Sequence, residues 1–300
     1  MKTSTLWLAA SSVFLSLSGD AGAAILYSVA DDANGIPRVL QQISTIPQTV
    51  STALTLGDGS LGFAGGLSFN SASDTFYAMS WDGFNPSSFS SFQLSDGGST
   101  SPLLSAGFGF LDGLTSISST DFYAIASGND GSSALYRIST TGAGSVTPVM
   151  ALGFGFNGGL ASNGSGLLYA IANDNQENSS LYAIDPVAQT VGLGIAIGQG
   201  FTGGLAWDQT SQSLFAIGSD FLADSTLYQI VPGAVITPTA VQSLGFGYLN
   251  ASLVDVTPAP PDAPEPATVL MGALGIAGVF WLRRVSTTPS TMPYRSRTDT

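Results

Sequence analysis

Residues 158–184 read GGLASNGSGLLYAIANDNQENSSLYAI, and versions of this stretch recur along the chain. The stretch opens on Gly-Gly-Leu, whose leucine is Leu160, and equivalent leucines follow Gly-Gly or Asp-Gly at Leu67, Leu114 and Leu205. Successive leucines are 47, 46 and 45 residues apart. A period in this range indicates a repeat architecture with one supersecondary unit per repeat.

Each copy contains short aromatic and aliphatic runs bounded by Gly, Ser, Asn and Asp, which is the pattern of β-strands. In the quoted copy these runs are 168–171 and 181–184, and similar runs start at Phe76, Phe122 and Leu214 in the others. A further strand at the leucine and another before the next Gly-Phe make four strands in about 46 residues, as in a β-propeller blade. The sequence therefore predicts an all-β propeller over residues 24–256.

The two ends of this region carry complementary half-repeats. Residues 26–29 match the second strand of a blade, and residues 245–256 match a first strand with Ser252 at the leucine position. A C-terminal strand that completes the N-terminal blade closes the ring and removes the open sheet edge. We therefore predict a five-bladed β-propeller closed by a split blade, with a sandwich or other all-β fold as the alternative.

Composition excludes several classes of function. The chain has no histidine and no cysteine, which removes His-based catalysis, thiolate chemistry, disulfides and His- or Cys-ligated metals. Its net charge is −13, and between residues 24 and 266 the basic residues are Arg38 and Arg137 against 18 acidic ones. Nucleic-acid binding needs a basic face, so we predict no nucleic-acid partner.

Residues 1–23 have the pattern of a secretory signal peptide. Lys2 supplies the positive start, residues 6–17 form a short apolar run, and residues 21–23 read Ala-Gly-Ala, a typical cleavage site. The alternative is an N-terminal membrane anchor, although the apolar run is short for a spanning helix.

The C-terminal end combines a Pro-rich linker with an apolar segment and a pair of arginines. Residues 257–263 form a Pro-rich linker, and residues 264–284 combine Pro264-Glu265-Pro266 with an apolar run and the pair Arg283-Arg284. The run predicts one hydrophobic helix, and its arginines should stay cytoplasmic, which leaves the preceding domain outside. A plain tail anchor is the alternative reading.

This combination resembles the PEP-CTERM sorting signal of Gram-negative bacteria. The resemblance implies processing near Pro264, Glu265 and Pro266 by an exosortase-like enzyme, a transient stay in the inner membrane, and delivery to the cell surface or extracellular matrix. Family members usually end soon after the arginines, whereas this chain continues in a polar tail, 285–300. That departure puts the efficiency of sorting in question.

Two sets of residues are candidates for ligand binding on the propeller. An aromatic residue precedes each anchor position by four residues and either faces a ligand or packs between blades: Phe63, Phe110, Phe156, Phe201 and Tyr248. The turns between second and third strands each carry an aspartate, and oxygen ligands of this kind suit Ca²⁺. Asp174 and Glu177 form the richest candidate, with ordinary turn chemistry as the alternative.

These observations predict an exported, surface-sorted, non-catalytic propeller that is a structural or interaction component of the extracellular matrix or exopolysaccharide layer. The alternative is a carbohydrate-binding propeller, whose blade number and repeat length resemble those of the tachylectin-type lectins. A carboxylate glycosidase is a third possibility, because such enzymes need two carboxyl groups, and Glu177 would be one of them. No cofactor other than Ca²⁺ is expected.

Overall fold

The structure is a computed structural model of the chain. It describes residues 23–31, 36–57, 62–63, 65–81, 85–111, 113–219, 224–233, 235–245, 247–248 and 252–257. The predicted signal peptide, apart from residue 23, lies outside the described residues, and so do the predicted sorting signal at 264–284 and the polar tail at 285–300.

The described residues form five antiparallel sheets, which we number as blades in chain order. Blade one contains β1 (Ile25–Asp31), β2 (Pro37–Thr45), β3 (Gln48–Thr55) and, from the other end of the chain, β21 (Ser252–Asp255). Blade two contains β4 (Leu67–Asn70), β5 (Thr75–Ser80), β6 (Ser87–Phe92) and β7 (Ser101–Gly107), with a short 3-10 helix, Leu94–Asp96, before β7.

The remaining blades follow the same order. Blade three contains β8 (Leu114–Ser116), β9 (Asp121–Ser127), β10 (Ser132–Ser139) and β11 (Ser145–Phe154). Blade four contains β12 (Leu160–Ser162), β13 (Leu168–Asn173) and β14 (Asn178–Asp185), and its outer strand is divided into β15 (Thr190–Val191) and β16 (Ile195–Gln199). Blade five contains β17 (Leu205–Asp208), β18 (Ser213–Gly218), β19 (Ser225–Ile230) and β20 (Thr239–Gly245).

The blades close into a ring. The innermost strands β4, β8, β12, β17 and β21 contact one another in that order, and β21 contacts β4. Because β21 pairs with β1, the last strand completes the blade that the first strand begins. The seam is also bridged by the Gln48 side chain, whose Nε2 donates to the Val241 carbonyl at 2.7 Å. The predicted five-bladed propeller with a split blade is confirmed.

The register of the split blade differs by one residue from the prediction. In blade two the anchor Leu67 pairs with Ala78, and the residue that pairs with the equivalent Ser28 is Leu253. Ser252, which the repeat spacing places at the anchor, pairs with Val29 instead. The last connection is therefore one residue longer than the others, so that a leucine rather than a serine occupies the apolar position.

The hydrophobic core consists of five clusters, each of which joins neighbouring blades. One cluster contains Ile125 and Leu135 from blade three with Leu160 and Leu168 from blade four, all of them buried. Equivalent clusters occupy the other four seams, including the seam between blades five and one. Because burial of apolar area drives folding, every blade depends on both neighbours for its stability.

None of the described residues belongs to a helix that is long and apolar enough to cross a membrane. The hydrophobic helix predicted within residues 264–284 lies outside the described part of the chain.

Candidate functional site

One face of the propeller carries the turns between second and third strands together with the connections that enter the next blade; we name it the connection face. Its two sets of loops are joined by backbone hydrogen bonds. The Ser127 amide at the end of β9 donates to the Gly109 carbonyl at 2.9 Å, and the Asn173 amide at the end of β13 donates to the Gly155 carbonyl at 2.8 Å. The connections are therefore held against the ends of the second strands.

The five aromatic residues that the sequence proposes for a ligand face are all inside the protein. Their exposed fractions range from 0% to 4%: Phe63, Phe110, Phe156, Phe201 and Tyr248. Three of them pack against a tyrosine of the following blade with ring centroids 5.0 to 5.1 Å apart: Phe110 with Tyr136, Phe156 with Tyr182, and Phe201 with Tyr228. A buried ring offers no face to a sugar, so these residues are wedges between blades.

A second aromatic position, which the sequence reading missed, is exposed on the connection face. Phe108 and Phe154 stand two residues before the wedges Phe110 and Phe156, and their exposed fractions are 67% and 72%. The doubled Gly-Phe-Gly-Phe at 107–110 and 153–156 is the signal that could have revealed them. The equivalent residue at the end of blade four is the exposed Gln199.

The glycines on both sides of Phe154 cause the difference in exposure between Phe154 and Phe156. Gly153 and Gly155 have φ of +105° and +79°, a left-handed conformation that other residues rarely adopt. A Cβ on Gly155 would lie 2.1 Å from the Asn173 carbonyl oxygen, so that only glycine allows the connection to approach β13 this closely. The two left-handed residues interrupt the ordinary strand alternation, and Phe154 turns outward while Phe156 turns inward.

Polar groups lie in the turn beside Phe154 and further along its own connection. Its backbone is paired with Ser132, next to the turn whose Asp130 carboxylate accepts hydrogen bonds from the Ser132 amide at 3.0 Å and hydroxyl at 2.6 Å. These bonds hold the pKa of Asp130 below its usual value, and the bond from the Ser132 hydroxyl has the largest effect. The carboxyl group is therefore ionised at neutral pH. Three residues after Phe154 in the same connection, the exposed Asn157 accepts a bond from Asn173 Nδ2 at 2.6 Å.

The predicted calcium turn is held together by its own hydrogen bonds. Asp174 Oδ1 accepts from the amides of Gln176 and Asn178 at 2.8 and 2.9 Å, and Oδ2 accepts from Asn178 Nδ2 at 2.9 Å. Hydrogen bonds, led by the one from the Asn178 side chain, lower the pKa of Asp174. Glu177 adopts a left-handed φ of +63° in the same exposed turn. In the described part of the chain no three acidic residues are grouped as metal ligands, and Ca²⁺ binding stays a prediction.

A channel of about 120 Å³ runs along the propeller axis. It is lined by the same three positions of every inner strand: 67–69, 114–116, 160–162, 205–207 and 253–255. The strand anchors are leucines, whereas the third positions include Ser116, Ser162, Trp207 and Asp255. Trp207 lies parallel to Tyr169 with the ring centroids 5.6 Å apart. The channel is therefore apolar toward the connection face and mixed toward its far end.

A partly buried carboxylate, Asp255, lines this far end of the channel. Burial raises the pKa of Asp255 to about 6, and the nearby charge of Asp208 contributes in the same direction. Asp255 Oδ1 accepts bonds from the Thr257 amide and hydroxyl at 2.9 and 2.5 Å. Asp208 accepts bonds from the Thr210 amide and from Ser211 in its own turn. Both carboxylates thus anchor local backbone, which favours a structural role.

The raised pKa of Asp255 predicts a pH-dependent stability. A carboxyl group with a folded-state pKa of about 6 and an ordinary value of 3.8 stabilises the fold while protonated, and this contribution is lost as the pH rises through about 6. We expect Asp255→Asn, which stays neutral and still accepts from Thr257, to gain stability over wild type by about 2 to 3 kcal/mol between about pH 4 and about pH 7. Urea unfolding at a series of pH values measures this gain, and a difference that does not vary with pH would contradict it.

Comparison with known proteins places one part of the chain in a family. Residues 262–284 match the PEP-CTERM protein-sorting motif. The chain carries a PEP-CTERM sorting signal. The signal implies export, a membrane-anchored sorting intermediate and processing by an exosortase. Its predicted residues Pro264, Glu265, Pro266, Arg283 and Arg284 all fall within the matched range.

Several solved structures are similar to this chain over most of its length. A chain of the nidogen/laminin complex has a TM-score of 0.50 at 11% identity, over 78% of this chain and 98% of that one. TolB from Acinetobacter baumannii has a TM-score of 0.47 at 12% identity, over 78% and 67%. Aleuria aurantia lectin in complex with α-methyl-L-fucoside has a TM-score of 0.44 at 15% identity, over 73% and 78%. At these identities the similarity concerns the fold alone. No curated protein matches the chain.

Proposed function

We propose that this protein is a sorted, non-catalytic propeller that acts as an interaction component of the outer cell surface, in the extracellular matrix or exopolysaccharide layer. The observation that carries the proposal is a PEP-CTERM signal at residues 262–284, which follows the ring-closed propeller in the sequence. A closed ring leaves its loop faces and outer strands available to partners once the chain is delivered.

The distribution of carboxylates supports a non-catalytic role. Glu177, the candidate for a glycosidase, lies in an exposed turn and not in the axial channel. Asp208 and Asp255 accept hydrogen bonds from their own neighbouring backbone. A glycosidase needs two carboxyl groups on either side of a bound sugar, one of them free to donate a proton.

Carbohydrate binding is a second candidate function, and it is favoured by the two exposed rings Phe108 and Phe154 at equivalent positions of neighbouring blades. Exposed aromatic rings beside hydrogen-bonding groups can stack on apolar faces of ligands while the polar groups recognise hydroxyls. Binding of this kind would retain a sorted protein within a polysaccharide layer.

Deletion of Pro264, Glu265 and Pro266 tests the sorting part of the proposal. We expect the variant to accumulate in the membrane fraction at its unprocessed mass, because the processing enzyme no longer finds its motif. Fractionation of the native host, with immunoblotting of each fraction and of intact cells, measures delivery. Deletion of residues 259–261 is the matched control, since it shortens the same Pro-rich region just outside the matched range. Normal processing and delivery of the first variant would refute the proposal.

A further inference from the structure

We propose that the connection face binds neutral polysaccharide at the seams between blades, with Phe154 as the stacking platform of one site and Phe108 as that of the preceding site. The inference rests on the proposed function at the cell surface and deepens it, since it names a ligand class and its contact residues. It concerns the outward-facing residues of the connections, and not the buried wedges.

Phe108 and Phe154 are placed on the surface by their backbone. Single exposed apolar side chains are common on proteins and by themselves mean little. Phe108 and Phe154, however, occupy the same repeat position at the ends of blades two and three, and each stands between two glycines of positive φ. That backbone holds the ring on the surface instead of letting the side chain follow the strand alternation into a seam.

Polar groups lie beside the ring of Phe154. A Cβ placed on Gly131 would touch Cδ1 of Phe154 at 3.7 Å, so that the ring lies on the turn that carries the ionised Asp130. The exposed amide of Asn157 follows three residues after the ring in the same connection. A carboxylate in the turn against the ring and an exposed amide in the same connection provide the acceptors and donors that sugar hydroxyls require.

The charge of the propeller region indicates the class of ligand. Residues 24–256 hold 16 acidic residues against two arginines, and the turn that carries the ionised Asp130 lies against Phe154, so an anionic polymer would be repelled. The core of a protein–protein interface is depleted in charged residues, whereas the ring of Phe154 lies against the turn that carries the ionised Asp130. A neutral polysaccharide fits both conditions, because each sugar needs only one ring and a few hydrogen bonds. Two similar sites on one face would add avidity along a polymer.

Affinity electrophoresis of the full chain, purified in mild detergent, tests the proposal. Native gels contain dextran or laminarin as neutral polymers, or alginate as an acidic one. We expect a neutral polymer to retard the protein and alginate to leave its mobility unchanged. The double substitution Phe108→Ala and Phe154→Ala should weaken the apparent affinity at least about tenfold, the effect of about 1.4 kcal/mol of lost stacking.

The chain offers matched controls. Gln199→Ala alters the same repeat position at the end of blade four, where no ring is present, and should leave the retardation unchanged. Leu193→Ala removes an apolar side chain that is 93% exposed and should do the same. Gln199→Phe should strengthen the retardation by adding a further platform. Far-UV circular dichroism of each variant verifies that the fold is retained.

Absence of retardation by both neutral polymers would overturn the inference, as would equal retardation of wild type and the double variant. Retardation by alginate alone would overturn the assignment to neutral glycans. None of these outcomes concerns the sorting experiment, because delivery of the chain to the surface is measured by fractionation. A chain that reaches the surface but binds no neutral polymer would refute this inference and leave the proposed function standing.

Discussion

Phe156→Ala should destabilise the propeller by about 3 to 5 kcal/mol, whereas Phe154→Ala, two residues earlier, should change the free energy of unfolding by less than about 0.5 kcal/mol. Phe156 is 3% exposed and packs in the cluster that joins blades three and four, in contact with Tyr182. Its removal leaves a cavity at the seam. Phe154 is 72% exposed and loses little on truncation.

Urea unfolding followed by far-UV circular dichroism measures both values under identical conditions. The pair is informative because the two residues are identical in type and belong to the same connection. Equal destabilisation by the two substitutions would contradict the assignment of one ring to the core and the other to the surface. Phe110→Ala and Phe108→Ala repeat the comparison one blade earlier, with the same expected order.

Gly159→Ala should also destabilise the protein by about 3 to 5 kcal/mol, through backbone strain and overpacking at the axis. Gly159 has a φ of +102°, and a Cβ there would lie 2.5 Å from the Leu205 amide nitrogen of the next inner strand. Five inner strands meet around a narrow axis, so backbone from one blade approaches the next too closely for a side chain.

Gly153→Ala is the matched control for that substitution. Gly153 has a similar φ of +105°, but a Cβ there meets no atom within 4 Å. We expect Gly153→Ala to lower the free energy of unfolding by about 1 to 2 kcal/mol, which is the strain of the left-handed conformation alone. The difference between the two midpoints in thermal or urea unfolding isolates the clash. If Gly159→Ala were no more destabilising than Gly153→Ala, the close approach of the inner strands would be refuted.

Much of the architecture could be predicted from the chain because its signals are local. The leucines at 67, 114, 160 and 205 mark equivalent positions, and the runs between them alternate as strands do. The complementary half-repeats predicted closure, which the pairing of β21 with β1 confirms. The one-residue shift from Ser252 to Leu253 could not be predicted by counting, because the length of a connection varies while burial selects the leucine.

The site was harder to predict for a physical reason. Phe154 and Phe156 are the same residue type in the same repeated motif, and only the left-handed glycines decide which ring is buried. Burial, with a smaller contribution from the charge of Asp208, raises the pKa of Asp255, and this burial follows from the packing of inner strands whose residues are 47 positions apart in the sequence.

The sequence by itself thus determined the sorting motif, the repeat and the number of blades, since each depends on residue order over short distances. The tertiary structure decided which aromatics face solvent, which carboxylate is buried and where the last strand is anchored. Those properties depend on which surfaces the closed ring buries, and burial is shared between residues that are remote in the chain.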